Sequence, residues 1–320
     1  MKHFLFLPLF LLLLVSCVQK PRTIENLWPS EIERYWVGPE FWSVPAMDWK
    51  LDSGKLICLK PGNNKGVVML TKRIVNPMDG FEISFEGGFL NRSRMPGSKM
   101  GIMLGLSNPV DDSYSFNKGI FAGIAADGHL MVDGKISTLG STYVPGEKLI
   151  FYLEGVPKES GKLQLFLRIR GEERDNQLGE LLVEIAPEKV KGVFSLFVES
   201  LSKDVKPVAW YESLEFNGAA IKTFAERRRG PVLTIDKFFR EDTLAMNVAL
   251  APVLLDDESE LVLQSKGSGE WITIASPAID ASYKVQFTLP HFNKEKHYRI
   301  YTRYIDRYGS QKYQYVNVKF

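Results

Sequence analysis

FEISFEGGF (81–89), KMGIMLGLS (99–107) and GIFAGIAADGHLMVDGK (119–135) are the runs whose reading decides the fold. In the first, Phe81, Ile83 and Phe85 alternate with Glu82, Ser84 and Glu86, the period of a strand with one buried face. In the third, two strand-like halves flank Asp127-Gly128, a dipeptide suited to a tight hairpin. Working outward, similar runs recur: a hairpin around Asp52-Ser53-Gly54 within 49–59, then 67–74 after the loop Pro61-Gly62-Asn63-Asn64, and 148–156, 162–171, 180–186, 192–200 and 208–216. Short strands at this spacing, with no long helix between them, predict two packed antiparallel sheets in a jelly-roll sandwich.

Composition agrees with a soluble β protein. Phe and Tyr number 20 and 12, a supply that suits strands. The formal charge of +2 is nearly balanced, so no global field points to nucleic acid, and no nucleic-acid partner is expected. Three arginines, Arg227 to Arg229, interrupt the hydrophobic pattern and read as a solvated linker.

The N-terminus reads as a targeting segment. Met1-Lys2-His3 precedes an apolar run from Phe4 to Val15, too short to cross a bilayer core of about 30 Å as a helix but right for a signal sequence. The run ends in Leu14-Val15-Ser16-Cys17, which resembles a bacterial lipobox. That resemblance implies a signal peptide over 1–16, an acylated Cys17 and a tether over 17–22. The lipid bilayer is then a partner, and the location is the bacterial cell envelope, extracytoplasmic, with the leaflet open. The other cysteine, Cys58, has no disulfide partner left and reads as a small buried hydrophobe.

Trp28, Trp36, Trp42 and Trp49 crowd the segment 23–49 among prolines. Two readings stand, packing of an irregular segment against a sheet and stacking on sugar rings. Beyond the linker at 223–230, seven short runs between 232 and 320 predict a fibronectin III or immunoglobulin-like sandwich over 231–320.

The FEISFE strand, the GIMLGLS strand, the GIFAGI…DGHLMVDG hairpin and the closing WYESLEFNG strand, in this order, resemble the concanavalin A-like lectin/glucanase sandwich in its laminin-G-like variants, over 23–222. With the lipobox and the second sandwich, the arrangement resembles the N-terminal, non-catalytic region of secreted alkaline phosphatase D (PhoD-like) proteins. The resemblance implies an all-β chain, a concanavalin A-like jelly roll followed by a small fibronectin III/Ig-like sandwich, with no metallophosphatase domain.

Catalytic signatures fall short. Asp127-Gly128-His129 is one DxH without the further ligands a two-metal site needs. Glu82, Ser84 and Glu86 fall on one strand face like the E-x-D-x-E of laminarinase-like glucanases, but serine stands where the central aspartate would tune its neighbours. There is no nucleophile elbow, P-loop or dinucleotide fingerprint. No cofactor is required. Calcium could draw oxygens from Asp111, Asp112 and Asp133, although such an ion takes roughly six to eight.

The expected function is therefore a membrane-anchored, non-catalytic binding or scaffold module for a glycan or another extracytoplasmic polymer. The alternatives are an accessory region of a PhoD-like phosphatase whose catalytic domain is missing or separately encoded, and a laminarinase-like glycoside hydrolase. Candidate ligand-binding residues, by type and loop position, are Trp36, Trp42, Asn91, Arg92, Arg94, Asp111 and Asp112.

Overall fold

A computed structural model describes residues 28–90, 97–107, 116–138, 144, 146–172, 177–201, 208–253, 260–306 and 308–319. Cys17, Asn91, Arg92, Arg94, Asp111 and Asp112 lie outside the described residues. The chain is built of antiparallel sheets, as the alternation predicts, and strands are numbered in chain order.

Sheet I runs β1 (Phe41–Val44), β4 (Gly62–Ile74), β13 (Gly192–Ser200), β6 (Lys99–Leu106), β7 (Ile120–Ala125), β8 (His129–Val132) and β9 (Lys135–Thr138), with β15 (Ile221–Thr223) also paired to β4. Sheet II runs β12 (Gln177–Ile185), β11 (Leu163–Gly171), β10 (Leu149–Pro157), β5 (Phe81–Phe89), β14 (Ala209–Asn217), β3 (Lys55–Cys58) and β2 (Trp49–Asp52). These two sheets face each other as the larger sandwich. The smaller one packs sheet III, β16 (Val232–Arg240), β17 (Thr243–Leu250) and β20 (Lys284–Leu289), against sheet IV, β19 (Ile272–Ala275), β18 (Glu260–Lys266), β21 (His297–Ile305) and β22 (Gln311–Val318).

The alternation in 81–89 works as read. Phe81, Ile83 and Phe85 are buried while Glu82 is exposed and Ser84 and Glu86 are half-buried. Phe85 stands opposite Phe151 in register, their rings stacked with centroids 4.4 Å apart. Each such side chain contributes about 1.5–3 kcal/mol by leaving water. From sheet II, Tyr211 crosses the core: its hydroxyl accepts the Gly101 N–H at 3.1 Å and lies 2.7 Å from the Phe197 carbonyl.

The structure adds three strands that the sequence did not reveal. β1 lies inside the tryptophan-rich segment, β9 follows a second two-residue turn at Asp133-Gly134, and β15 is only three residues long. β4 also begins within the expected loop 61–64. Gly62 and Asn64 take positive φ there, and Gly62 still pairs with Ser200. Trp28, Trp36 and Trp49 are buried, so packing claims three of the four tryptophans. Among the described residues no helix is long and apolar enough to cross a membrane.

Candidate functional site

A cleft sits at the edge of the larger sandwich, and a bulge makes it. Val193 of β13 pairs with Arg73 of β4, but Ser195, two residues on, pairs with Val68. Five steps of β4 therefore oppose two of β13, and residues 69–72 leave the ladder with β13. Bulges of this kind re-aim side chains and end pairing. The freed backbone finds other partners: Leu70 N–H donates to the Glu40 carbonyl at 2.8 Å, and Phe224 N–H to the Thr71 carbonyl at 2.7 Å.

Between this segment and β14 lies a cleft of ≈ 560 Å³. Met69, Leu214 and Phe216 make its apolar wall, and Glu40, Lys72, Glu215, Asn217 and Arg228 bring charge and amide groups to it. Phe216 packs on Phe194 of the core at 4.7 Å, which fixes the ring. Lys72 Nζ lies 5.8 Å from the same ring and donates to Thr223 Oγ1 at 3.2 Å. Arg228 Nη2 meets Glu40 Oε1 at 2.9 Å. A fixed aromatic wall with a few converging polar groups, in a volume of this size, suits a small polar ligand.

Glu40 and Arg228 also line a second cavity of ≈ 100 Å³ with Tyr304, Asp306, Tyr308 and Lys312 of the smaller sandwich. Here Arg34, buried at 4% exposure, donates Nε to the Trp36 carbonyl at 2.7 Å and Nη1 to the Ile305 carbonyl at 2.6 Å. Burial lowers its pKa to about 10, with Tyr304 and Asp306 opposing the shift. Trp36 lies edge-on to Tyr304 at 5.2 Å and packs with Ala251 and Val253. It is taken up between the sandwiches and is not free to stack on a sugar. Trp42 is half-buried on the outer face of sheet I, beside Val68, with the Arg229 guanidinium 5.8 Å from its ring. Neither tryptophan lines the cleft.

The carboxylate row on β5 is engaged elsewhere. Lys148 Nζ binds Glu86 at 3.3 Å, Glu212 at 3.3 Å and Glu172 at 3.0 Å, and a bulge in β14 at Tyr211/Ser213 brings Glu212 there. Burial alone would lower the Lys148 pKa, but these carboxylates raise it. Glu82 faces Glu154 and Asn217 across the ladder. Glu86 is thus a salt-bridged carboxylate, and Glu82 lies one strand turn-pair away without it. The DxH residues serve their own turn: Asp127 Oδ1 accepts the His129 N–H at 3.2 Å and meets His129 Nδ1 at 2.8 Å. Partial burial pushes the Asp127 pKa up, but these bonds leave it below the usual range. Asp133 pairs with Lys189 at 2.9 Å. Among the described residues no group of three or more His, Cys, Asp or Glu could hold a metal ion. Burial raises the Cys58 pKa to about 12, as befits a packed thiol.

Sequence reading missed the cleft residues. The one signal was the arginine triplet, which the structure docks: Arg229 N–H donates to the Pro39 carbonyl at 2.9 Å, and Arg228 pairs with Glu40.

The architecture defines an all-β protein of two antiparallel sandwiches, the larger built from sheets I and II. No family model matches the chain, and no curated protein is significantly similar to it. Solved structures similar to the chain include lectin I-B4 from Griffonia simplicifolia in its metal-free form, 9% identical over 56% of this chain and 92% of that one, TM-score 0.37. The PL-14 alginate lyase from Aplysia kurodai is 10% identical over 62% and 99%, TM-score 0.40. The Bauhinia forficata lectin in complex with GalNAc is 10% identical over 62% and 99%, TM-score 0.39.

Proposed function

We propose that this chain is a glycan-binding module of the bacterial envelope, held to the membrane through acylated Cys17 and without catalytic activity of its own. The observation that carries the binding reading is the cleft of ≈ 560 Å³ that the β4 bulge opens against Phe216. Its aromatic wall suits the apolar face of a sugar ring, and Lys72, Asn217 and Glu215 supply donors and acceptors for hydroxyl groups. The lipobox supports the anchor.

The order of lipobox, larger sandwich and smaller sandwich supports a second reading, an accessory region of a PhoD-like phosphatase. A metallophosphatase reading frame directly downstream would decide for it.

The binding reading is tested on a glycan array with the full chain after the signal. Lys72→Ala combined with Asn217→Ala should weaken a positive glycan by about tenfold, the worth of roughly one hydrogen bond or more. Unchanged affinity would remove the cleft from the reading, and an array with no positive glycan would remove the reading itself.

A further inference from the structure

Around the strand edge from the cleft stands a group of cations with no acidic partner: Arg73 and Lys222 share the ladder face opposite to Lys72 and Thr223, which line the cleft. Along residues 223–228, Thr223, Ala225 and Arg228 line the cleft, while Phe224 and Arg227 are not among its lining residues. Two guanidiniums lie near the Phe224 ring, Arg73 Cζ 5.8 Å and Arg227 Cζ 5.2 Å from its centroid. Lys222 stands directly opposite Arg73 in the β15–β4 ladder and is exposed. Like charges placed directly across a ladder destabilise it. Among the described residues Arg73, Arg227 and Lys222 form no ion pair with a carboxylate; Glu226, next to Arg227 in the chain, makes none either. Arg227 Nη1 is buried with no hydrogen-bond acceptor. Burial and, after it, the nearby Arg227 charge both lower the Arg73 pKa. An unpaired buried donor is destabilising, more so when charged, and among the described residues no acceptor meets this one.

A bound anion would offset it. Two planar guanidiniums beside one ring present forked donors that match a carboxylate in a bidentate manner, and Lys222 adds a mobile charge. We propose that Arg73, Arg227 and Lys222 form an anion subsite on the opposite face of the β4–β15 edge from the cleft, which takes the carboxylate of an acidic polysaccharide whose neighbouring sugar ring passes around that edge into the cleft. The proposal rests on the glycan reading and narrows it to uronate-bearing chains, because charge complementarity at this edge selects against neutral ones.

The test uses the full mature chain and calorimetric titration with a short oligouronate and with its carboxyl-reduced, neutral counterpart. The oligouronate should bind at least about tenfold more tightly at low salt, and that advantage should shrink as salt screens it. Arg73→Ala combined with Arg227→Ala should abolish the advantage and leave binding of the neutral oligomer unchanged. Equal binding of the two oligomers by the unaltered chain would overturn the subsite and leave the cleft reading standing. So would a double variant that keeps the full preference. Vesicles of anionic phospholipid form the third arm. Binding to them with no preference for the uronate would reassign the cations to the membrane and overturn the proposal. Binding of neither oligomer would sink the glycan reading and this subsite together.

Discussion

Tyr211 and Asp48 show how single polar groups are placed inside this β-rich core. The Tyr211 ring belongs to sheet II, yet its hydroxyl is held by backbone groups of sheet I, so it pins one sheet to the other. Tyr211→Phe should cost about 1–3 kcal/mol, because it strands the Gly101 N–H in the core. The check is the urea midpoint at unchanged m-value, and an unshifted midpoint would remove the pin. Asp48 is buried and accepts from Lys60 at 2.9 Å and from Lys65. Burial pushes its pKa up, but hydrogen bonds from the two lysines hold it below the ordinary value. A carboxyl with a depressed folded pKa stabilises above its unfolded pKa of about 3.9, and that stability is lost as pH falls through the folded value. Asp48→Asn should therefore be less stable than the native chain at neutral pH and lose less stability between pH 4 and 2. Parallel stability–pH curves below pH 4 would contradict this.

At the scale of elements, turns were the legible part. Asp52-Ser53-Gly54 and Asp127-Gly128 announce hairpins, and the structure has them joining β2 to β3 and β7 to β8. Asp133-Gly134 is the same chemistry, with φ of 47° and 75°, but the strand beyond it, Lys135–Thr138, carries a single apolar side chain and does not read as a strand. Gly134 has open space around its Cα, so its substitution isolates the backbone cost. Gly134→Ala should destabilise by about 1–2 kcal/mol, whereas Gly267→Ala, also in open space and without positive φ, should not. Thermal midpoints that move equally for both would show that the turn conformation carries no cost. The bulge in β4 could not be read in the same way. VVMLTKRI alternates only weakly, and where a strand leaves its ladder depends on the neighbour it leaves.

On the scale of the whole molecule, the segment before β1 ties the two sandwiches together. Trp36 N–H donates to the Pro252 carbonyl at 3.1 Å, Arg34 reaches the Ile305 carbonyl, and the Trp36 ring covers Ala251 and Val253. Trp36→Ala leaves a cavity between the sandwiches, and removal of a buried tryptophan costs about 3–5 kcal/mol. Calorimetry of the variant should resolve two transitions where the native chain gives one, since contacts that cross the junction are what couple them. A single transition in the variant would place the coupling elsewhere. The same segment brings Glu40 to Arg228, 188 positions along the chain, and so completes both the cleft and the smaller cavity.

Alternation with period two and the backbone demands of turns are local properties. The sequence by itself therefore determined the all-β class, the jelly-roll core around residues 81–135, the smaller sandwich after it, and the burial of Cys58. It left the four tryptophans of 23–49 open between packing and sugar stacking, and the structure buries three of them, Trp28, Trp36 and Trp49. What only the tertiary structure decided is where polar groups converge. Lys72, Phe216, Asn217 and Arg228 come from three separated segments and share no period or motif. They meet because one strand carries extra residues that its partner lacks, and that mismatch exists only once the strands are paired.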